Sequence, residues 1–518
     1  MLNVSNRFRE LIYAPTRRTG ARVEFQIVDV TAIDDAEGTV TSEAVISRKD
    51  QLFNAVTGMS GRLATFEPNY WKLDGSFSLP PKIDEPGYEV GWWSGVLSDG
   101  NGDFTPAQEI LIDFSENHSS IGLTIVFDTA SDEYASDFDI VVYDEFDNVI
   151  HTENVTGNTL AKYILEQGLA DYRKILITLK KWGKPQRRAR IGEISFGIVE
   201  EYFNEDLISL EATEELDTIS ASAIINEVRF TIENQDKRFD IINPSGIYPF
   251  LQRKQKISAF IGVERTQGFF EYAQLGAYYL SEWRSDSGSL TATFTARDIL
   301  DILDQDEYPE TTHTSESLYD IAEQVLASAD IDFYFLDEAL QDITITATIP
   351  SATFREVLQM IAIAGQCVVY SDREGRVVIK RLSEVVLPDK IELDNMYKSP
   401  QIRLDKLVNT IYVDVMGTEY TYTDPFKQAN DPILSVSIEN PLITTTQHAE
   451  QVAIWVLDEL KKRFIYEVDW RGNPAIETGD ILTIEDDFSE GKTVIITKNE
   501  FSFSGALRCR SEGRGRFE

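Results

Sequence analysis

The chain is short of the residues on which most active-site chemistry depends. Its 518 residues include only 2 cysteines, Cys367 and Cys509, and 4 histidines. Two thiols so far apart give neither a disulfide framework nor a metal quartet, and they suit folding in a reducing cytosol. His118, His151, His313 and His448 belong to no HExxH or HxH pattern, so a metal-hydrolase site has no signature, and the expectation for all four is an isolated surface or helix-cap histidine. No run reaches the roughly 18 apolar residues of a membrane-spanning helix. The first fifteen residues, MLNVSNRFRELIYAP, carry charge where a signal peptide is apolar. There is no GxSxG, no P-loop, no GxGxxG after a strand and no short tandem repeat, which removes the usual hydrolase, nucleotide and solenoid signatures. Cations are scarce too: 48 Lys and Arg face 87 Asp and Glu, a formal net charge of −39. Such a chain repels nucleic acid, and with so many acids no carboxylate pair stands out as a glycosidase site.

What is present is apolar surface. The chain is 42% hydrophobic, with 28 Phe, 21 Tyr and 7 Trp, enough to build several cores. At roughly 100 to 200 residues per domain, three or four are expected. Most segments alternate with period two, the pattern of half-buried strands. Val23, Phe25 and Ile27 do so, as do Val228, Phe230 and Ile232, then Ile257, Ala259 and Ile261, then Leu290, Ala292 and Phe294. Shorter strands are expected at Val377–Ile379, Ile411–Val415, Ile481–Ile484 and Val494–Ile496. Three helices interrupt them. Leu318, Ile321, Val325 and Leu326 form a stripe behind Ser317 and Asp320; Phe354, Val357, Leu358 and Ile361 follow Thr353 and Glu356 and end at Gly365. Val452, Trp455, Val456, Leu460 and Phe464 form the third, with Lys461, Lys462 and Arg463 at its end. The fold class is therefore mainly β with α+β parts.

A shift in composition brackets an inserted module at residues 66–199. It opens with FEPNYWKLDGSFSLPP and GYEVGWWSG, continues as strands near Ile110–Phe114, Leu123–Phe127 and Phe138–Tyr143, and closes with YRKILITLKKWGKPQRRARIGEISFG. Short strands with long turn-rich connections suit an antiparallel sandwich or jelly roll.

This module holds the candidate site residues. KKWGKPQRRAR concentrates six cations in an acidic chain. A solvated hairpin paired with the module's own acids is the simpler reading; the functional one is contact with an anionic or sugar polymer through Trp182, Arg187, Arg188 and Arg190. Trp92 and Trp93 offer a sugar-stacking platform in one reading and core tryptophans in the commoner one. Eight acids lie between Asp128 and Asp147, and Asp99, Asn101 and Asp103 have the spacing of the start of a calcium loop. Phe104 and Ile110 stand where the turn glycine and closing glutamate belong, so an EF-hand is excluded. No cofactor is expected, with a structural calcium ion as the one exception left open.

Three stretches together resemble a known family: IINEVRFTIENQDKRFDIINPSGIYPFLQRKQKISAFIGVE, LGAYYLSEWRSDSGSLTATFTARDILDIL and ATFREVLQMIAIAGQCVVYSDREGRVVIKRL. They are similar to the baseplate hub of bacteriophage tails of Gram-positive hosts, the tail-associated or endopeptidase-tail group. VNTIYVDV and ETGDILTIED resemble the hub's final barrel. The closing part of the insert is similar to galactose-binding or discoidin-type jelly rolls, without a matching ligand set. The resemblance implies two β-barrel domains per chain and a homotrimer that continues the tail tube. It divides the chain into a first hub domain at 1–65 and 200–304, the insert, an α/β region at 305–400, and a last barrel with a helix at 401–518. Implied partners are the distal tail protein, the tape measure, other baseplate or receptor-binding proteins and host cell-wall carbohydrate, with DNA passing an acidic lumen unbound. The implied place is the virion tail tip, after synthesis in the host cytoplasm. Many members of that family carry a peptidoglycan-cutting domain after the hub, whereas this sequence ends at Glu518, so the expectation is a structural protein and not an enzyme. The alternatives are a carbohydrate-binding adhesion protein and a cell-wall hydrolase.

Overall fold

The computed structural model describes residues 1–516 except 3, 55, 57, 81, 83–87, 244, 245 and 286–289. Pro81 and Gly87 of the aromatic-rich stretches, residues 244, 245 and 286–289 of the hub-like stretches, and Glu518 lie outside the described residues. The chain is mainly β, as its alternation predicts: Thr19–Val28 buries Ala21, Val23, Phe25 and Ile27, and Glu227–Glu233 buries Val228, Phe230 and Ile232. Leu290 falls outside its expected strand, which starts at Thr291.

The helices are α1 (Asn6–Ile12), α2 (Val30–Asp35), α3 (Ile299–Leu303), α4 (Leu318–Ser328), α5 (Phe354–Ala364) and α6 (Thr446–Leu460). The three long ones are those the stripes predict. Ser317 caps α4 by accepting from Asp320 N, and Thr353 with Glu356 forms a full capping box on α5. The three short ones have no sequence period long enough to reveal them. Phe464 does not extend α6; it opens a strand, Phe464–Trp470.

The chain divides into two compact units. One comprises Glu24–Glu201 and Lys237–Lys256. Its five-stranded antiparallel sheet runs in the order Glu37–Val40, Asp103–Ser120, Leu169–Trp182, Ala135–Tyr143, Val149–Val155, and a three-stranded sheet runs Lys162–Leu165, Leu123–Val126, Glu193–Ser195. Ile110, Ile112, Ile175, Ile177, Phe138 and Ile140 of the first sheet share one core with Leu123, Ile125 and Ile194 of the second, which makes a sandwich. Its boundary differs from the expected 66. Glu37–Val40 pairs with Asp113–Ile110, and Ala32 and Leu52 lie in the sandwich core. A four-residue edge strand and a two-turn helix are too short to shift local composition, so the aromatic-rich stretch was the first visible marker.

The other unit comprises Met1–Val23, Tyr202–Asp236 and Ile257–Glu518. Its main sheet runs Lys256–Thr266, Phe269–Arg284, Thr291–Arg297, Glu227–Glu233, Leu207–Glu215, Ser489–Phe503, Leu507–Gly515, Phe464–Trp470, Gln401–Leu404. Strands expected in separate domains, 200–304 and 401–518, thus form one hydrogen-bonded run, joined where Leu210 faces Phe503 and Ala212 faces Phe501. Likewise α6 and the strand Thr410–Val415 share an apolar core with α4 and α5, so 400/401 is no core boundary. A stripe shows that a helix is buried, not against what.

Candidate functional site

The sequence points first to the basic strip, and the structure turns Arg187 and Arg190 of it inward while its lysines stay at the surface. After the strand Leu169–Trp182 the chain turns through Gln186 at φ 56° and returns, so that Arg190 faces Trp93 and Ile191 faces Trp92 in a short antiparallel pair. Arg190 is 0% exposed. Its Nη1 donates to Asp128 at 2.7 Å and Glu133 at 3.4 Å, and its Nη2 donates to Glu67. The guanidinium lies over the Trp93 ring at 4.2 Å and the Tyr70 ring at 4.5 Å. Burial opposes the charge, but Glu67, Asp128 and Glu133 outweigh it and hold the Arg190 cation more firmly protonated than in water.

Arg187 is buried as well and donates to Pro68 O at 2.6 Å, Asn69 O at 3.1 Å and Glu133 at 3.4 Å. Arg188 is half-buried, with Nη1 donating to Ser94 O at 2.7 Å. The tryptophans are equally occupied. Trp182 donates to Glu133 at 3.1 Å, Trp92 to Ser42 O at 3.0 Å and Trp93 to Val90 O at 2.9 Å, and all three are at most 1% exposed. A sugar platform needs an open ring face, and none of these rings has one. The strip does pair with the module's own acids: Arg187 and Arg190 do so inside the sandwich, whereas Lys180, Lys181 and Lys184 meet Asp139, Asp103 and Glu133 from the solvent side. Its arginines fasten the stretch 67–70 and the tryptophan strand to the sandwich.

The calcium candidates close on their own backbone. Asp99 Oδ1 accepts from Asn101 N at 2.7 Å and Asp103 N at 2.9 Å, and those donors hold its carboxyl below the usual range. Asp103 lies 4.0 Å from Lys181. In the acid-rich stretch, Asp139 pairs with Lys180 and Asp147 with Lys174, each at 2.5 Å, while Asp144 accepts from Phe146 N and Asn148 N. Among the described residues no group of three or more His, Cys, Asp or Glu is arranged to hold a metal ion.

The histidines depart from expectation. His118 is buried between Asp29 at 3.3 Å and Asp35 at 2.9 Å, His313 is buried with Nδ1 2.9 Å from Glu316, and buried His448 places Nε2 2.7 Å from Ala364 O. Only His151 keeps some solvent, 3.8 Å from Glu153. A lone histidine in sequence carries no sign of the carboxylate or carbonyl that lets it be buried. Both cysteines are buried, and burial pushes each thiol up to about 12, so neither is a ready nucleophile. A groove of about 340 Å³ lies over the main sheet, lined by Glu211, Thr213, Glu500, Arg508 and Arg510 among others. Arg510 there is already paired with Glu467 at 2.7 Å.

Two features escape the sequence. Trp71, 49% exposed, stacks on Phe77 with ring centroids 6.0 Å apart and planes 13° apart, an open aromatic face in the module. Its signal was the FEPNYWKLDGSF stretch itself, in which every aromatic is equally eligible. In the other unit buried Arg373 holds Glu214 at 2.8 Å, Ile476 O at 2.7 Å and Pro474 O. Its partners stand about a hundred or more positions away, and no local pattern announces them.

Fold and site together define a multidomain, mainly β protein whose charged clusters serve structure. No protein-family model matches the chain, and no curated protein does. Solved structures do. The 43 kDa tail protein of prophage MuSo2 from Shewanella oneidensis is similar at 16% identity and a TM-score of 0.44, over 61% of this chain and 95% of that one. A tail protein from Neisseria meningitidis is similar at 12% identity and a TM-score of 0.44, over 61% and 93%. Prophage tail protein gp18 from Listeria monocytogenes is similar at 12% identity and a TM-score of 0.40, over 72% and 94%.

Proposed function

We propose that this chain is a structural protein of a bacteriophage tail: a tail-tip hub that forms a homotrimer, continues the tube, docks the distal tail ring and presents its sandwich for host attachment. One observation carries the reading. The strands of the first two hub-like stretches are consecutive in space: Lys256–Thr266, Phe269–Arg284, Thr291–Arg297 and Glu227–Glu233 stand side by side. The third stretch forms α5 and two strands of a separate small sheet, Val368–Ser371 and Val377–Lys380, whose Val369 and Val377 share a core with Ile299 and Leu300 of the second. The resemblance therefore follows a folded body and not scattered likeness.

The outward face of that sheet supports a wall more than a catalyst. It bears compensating pairs, Arg297 with Glu227 at 3.2 Å and Lys498 with Glu215 at 3.3 Å, around Thr231 and Thr293, whose hydroxyls lie 3.0 Å apart. A net charge of −39 keeps passing DNA from sticking to such a conduit. Tape-measure and receptor-binding neighbours belong to the same proposal. The test is the mass of the full chain by light scattering, with negative-stain images. A mass three times 58.7 kDa and a three-fold ring are expected. A chain that remains monomeric when its distal tail ring partner is supplied defeats the hub reading.

The exposed Trp71–Phe77 stack favours a second role for the same protein, carbohydrate binding by the sandwich. Glycan arrays with the full chain and with Trp71→Ala decide it: loss of a wild-type signal supports that role, and identical arrays reject it.

A further inference from the structure

The unit that holds Ile257–Glu518 also carries a strand pair outside its main sheet. Thr311–Ser317 and Thr344–Ile349 run antiparallel, with Thr312 opposite Thr348 and Thr314 opposite Thr346. Beyond Pro309 and Pro350 the same two segments meet again, Glu307 with Thr353 and Tyr308 with Ala352, so they form one extended ribbon. Among the described residues neither long strand pairs with a third.

The two faces of the ribbon differ sharply. His313, Ile345 and Ile349 point inward, and the two isoleucines share the core of α4. Thr312, Thr314, Thr344, Thr346 and Thr348 point outward and are all exposed. The Thr312 and Thr348 hydroxyls lie 2.8 Å apart, and Thr346 accepts from Ser315 N at 3.0 Å. The outward face is therefore β-branched and uncharged, interrupted by one bulge at Ser315, a composition that favours pairing.

Proteins normally guard such edges with lysine, proline or charge placed on the strand. The prolines here stand only at the interruption of the ribbon. From Asp298 to Phe354 the sequence has 14 Asp and Glu and no Lys or Arg. The strand Thr311–Ser317 keeps a bulge at Ser315 and the charge of Glu316, whereas Thr344–Ile349 has neither and is the bare edge, and both sit in a field of one sign. That field also chooses the occupant. A second copy of this ribbon would set acid against acid, whereas a strand flanked by cations is drawn in.

We infer that this ribbon accepts an added β-strand from a neighbouring protein, an extended segment with β-branched residues at its centre and Lys or Arg at its ends. Backbone hydrogen bonds supply the affinity and charge supplies the selection. The inference stands whether or not the assembly is a phage tail.

The test uses the full-length protein and a fluorescent peptide of about nine residues, alternating Thr and Val between lysines, which spans a strand of this length. Anisotropy should report saturable binding that weakens with salt, and amide exchange should slow at 311–317 or 344–349. Thr314→Lys with Thr346→Lys, on the outward face, should weaken binding by about tenfold or more. No binding by the folded protein overturns the inference, as does equal binding of a Glu-flanked peptide or indifference to the paired lysines. Self-association of the wild type that the paired lysines abolish would assign the ribbon to a second copy and overturn the basic partner. The exchange measurement reads the wild type alone, so it decides even if the double variant folds poorly.

Discussion

Replacing Arg190 by methionine distinguishes a buried fastening from a solvated basic strip. Methionine keeps most of the volume and removes the charge. Glu67, Asp128 and Glu133 then face one another with side chains at most 2% exposed. Removing one partner of a buried ion pair costs about 3 to 5 kcal/mol, because the remaining charge is left without compensation. An exposed pair is worth no more than about 1 kcal/mol. The unit concerned, Glu24–Glu201 with Lys237–Lys256, has roughly 200 residues, a size at which 1 kcal/mol moves Tm by about 2 to 4 °C. The buried arrangement therefore predicts a fall of about 6 to 20 °C, and a solvated one a fall of at most about 4 °C. Scanning calorimetry measures the shift. Amide exchange in Asp103–Ser120 and Leu169–Trp182 shows whether the loss is in this unit. Adding Glu67→Gln should recover part of it, since one of the uncompensated charges goes. A shift below about 4 °C, or unchanged protection in those strands, refutes the reasoning.

Three further outcomes are expected. Burial lowers the pKa of His448, so below about 6.5 the unfolded chain takes up a proton that the folded chain resists; stability is full above that pH and falls below it, and His448→Gln, which keeps a donor for Ala364 O, should flatten the decline, whereas parallel wild-type and variant Tm curves between about pH 5 and 8 would exclude this origin. Gly365→Ala places a Cβ 2.2 Å from Leu340 Cδ2 and should cost about 1 to 3 kcal/mol in denaturant melts, and no change would show that the turn at Glu338–Asp342 yields freely. Trp455 is half-buried against the helical core, so Trp455→Ala should cost about 2 kcal/mol and not the roughly 3 to 5 of a fully buried tryptophan; a loss in the full range would place the indole deeper.

Local physics was readable wherever it was local. Alternation located the strands, and Thr353 with Glu356 located the start of α5, because partners three positions apart must meet if the helix forms at all. Domain limits were not readable in the same way. The strand Leu207–Glu215 finds its neighbour in Ser489–Phe503, and nothing in either segment names the other. Both show one buried face, which any sheet of the right width satisfies.

The basic strip shows the same limit in its sharpest form. Arg190 meets Glu133, Asp128 and Glu67 at separations of 57, 62 and 123 positions. A window around KKWGKPQRRAR contains the cations and none of the acids, so charge alone reads as surface. Composition held a better clue than charge. Burying a guanidinium requires carboxylates for its hydrogen bonds and ring faces for its planes. The stretches that supply them, FEPNY and GWWSG, are the aromatic-rich opening of the module. Tyr70 and Trp93 cover Arg190, and Glu67 lies three residues before that tyrosine. Trp93, which suggested a sugar platform, and Arg190, which suggested an anion site, are two halves of a single internal contact. Where an arginine-rich strand and a tryptophan-rich strand occur in one small sandwich, mutual burial competes directly with ligand binding. Arg190 can satisfy Asp128, Glu133 and Glu67, or an external anion, but not both at once. Any ligand role for Arg190 would require this contact to open first, at the energetic cost that the Arg190→Met experiment measures.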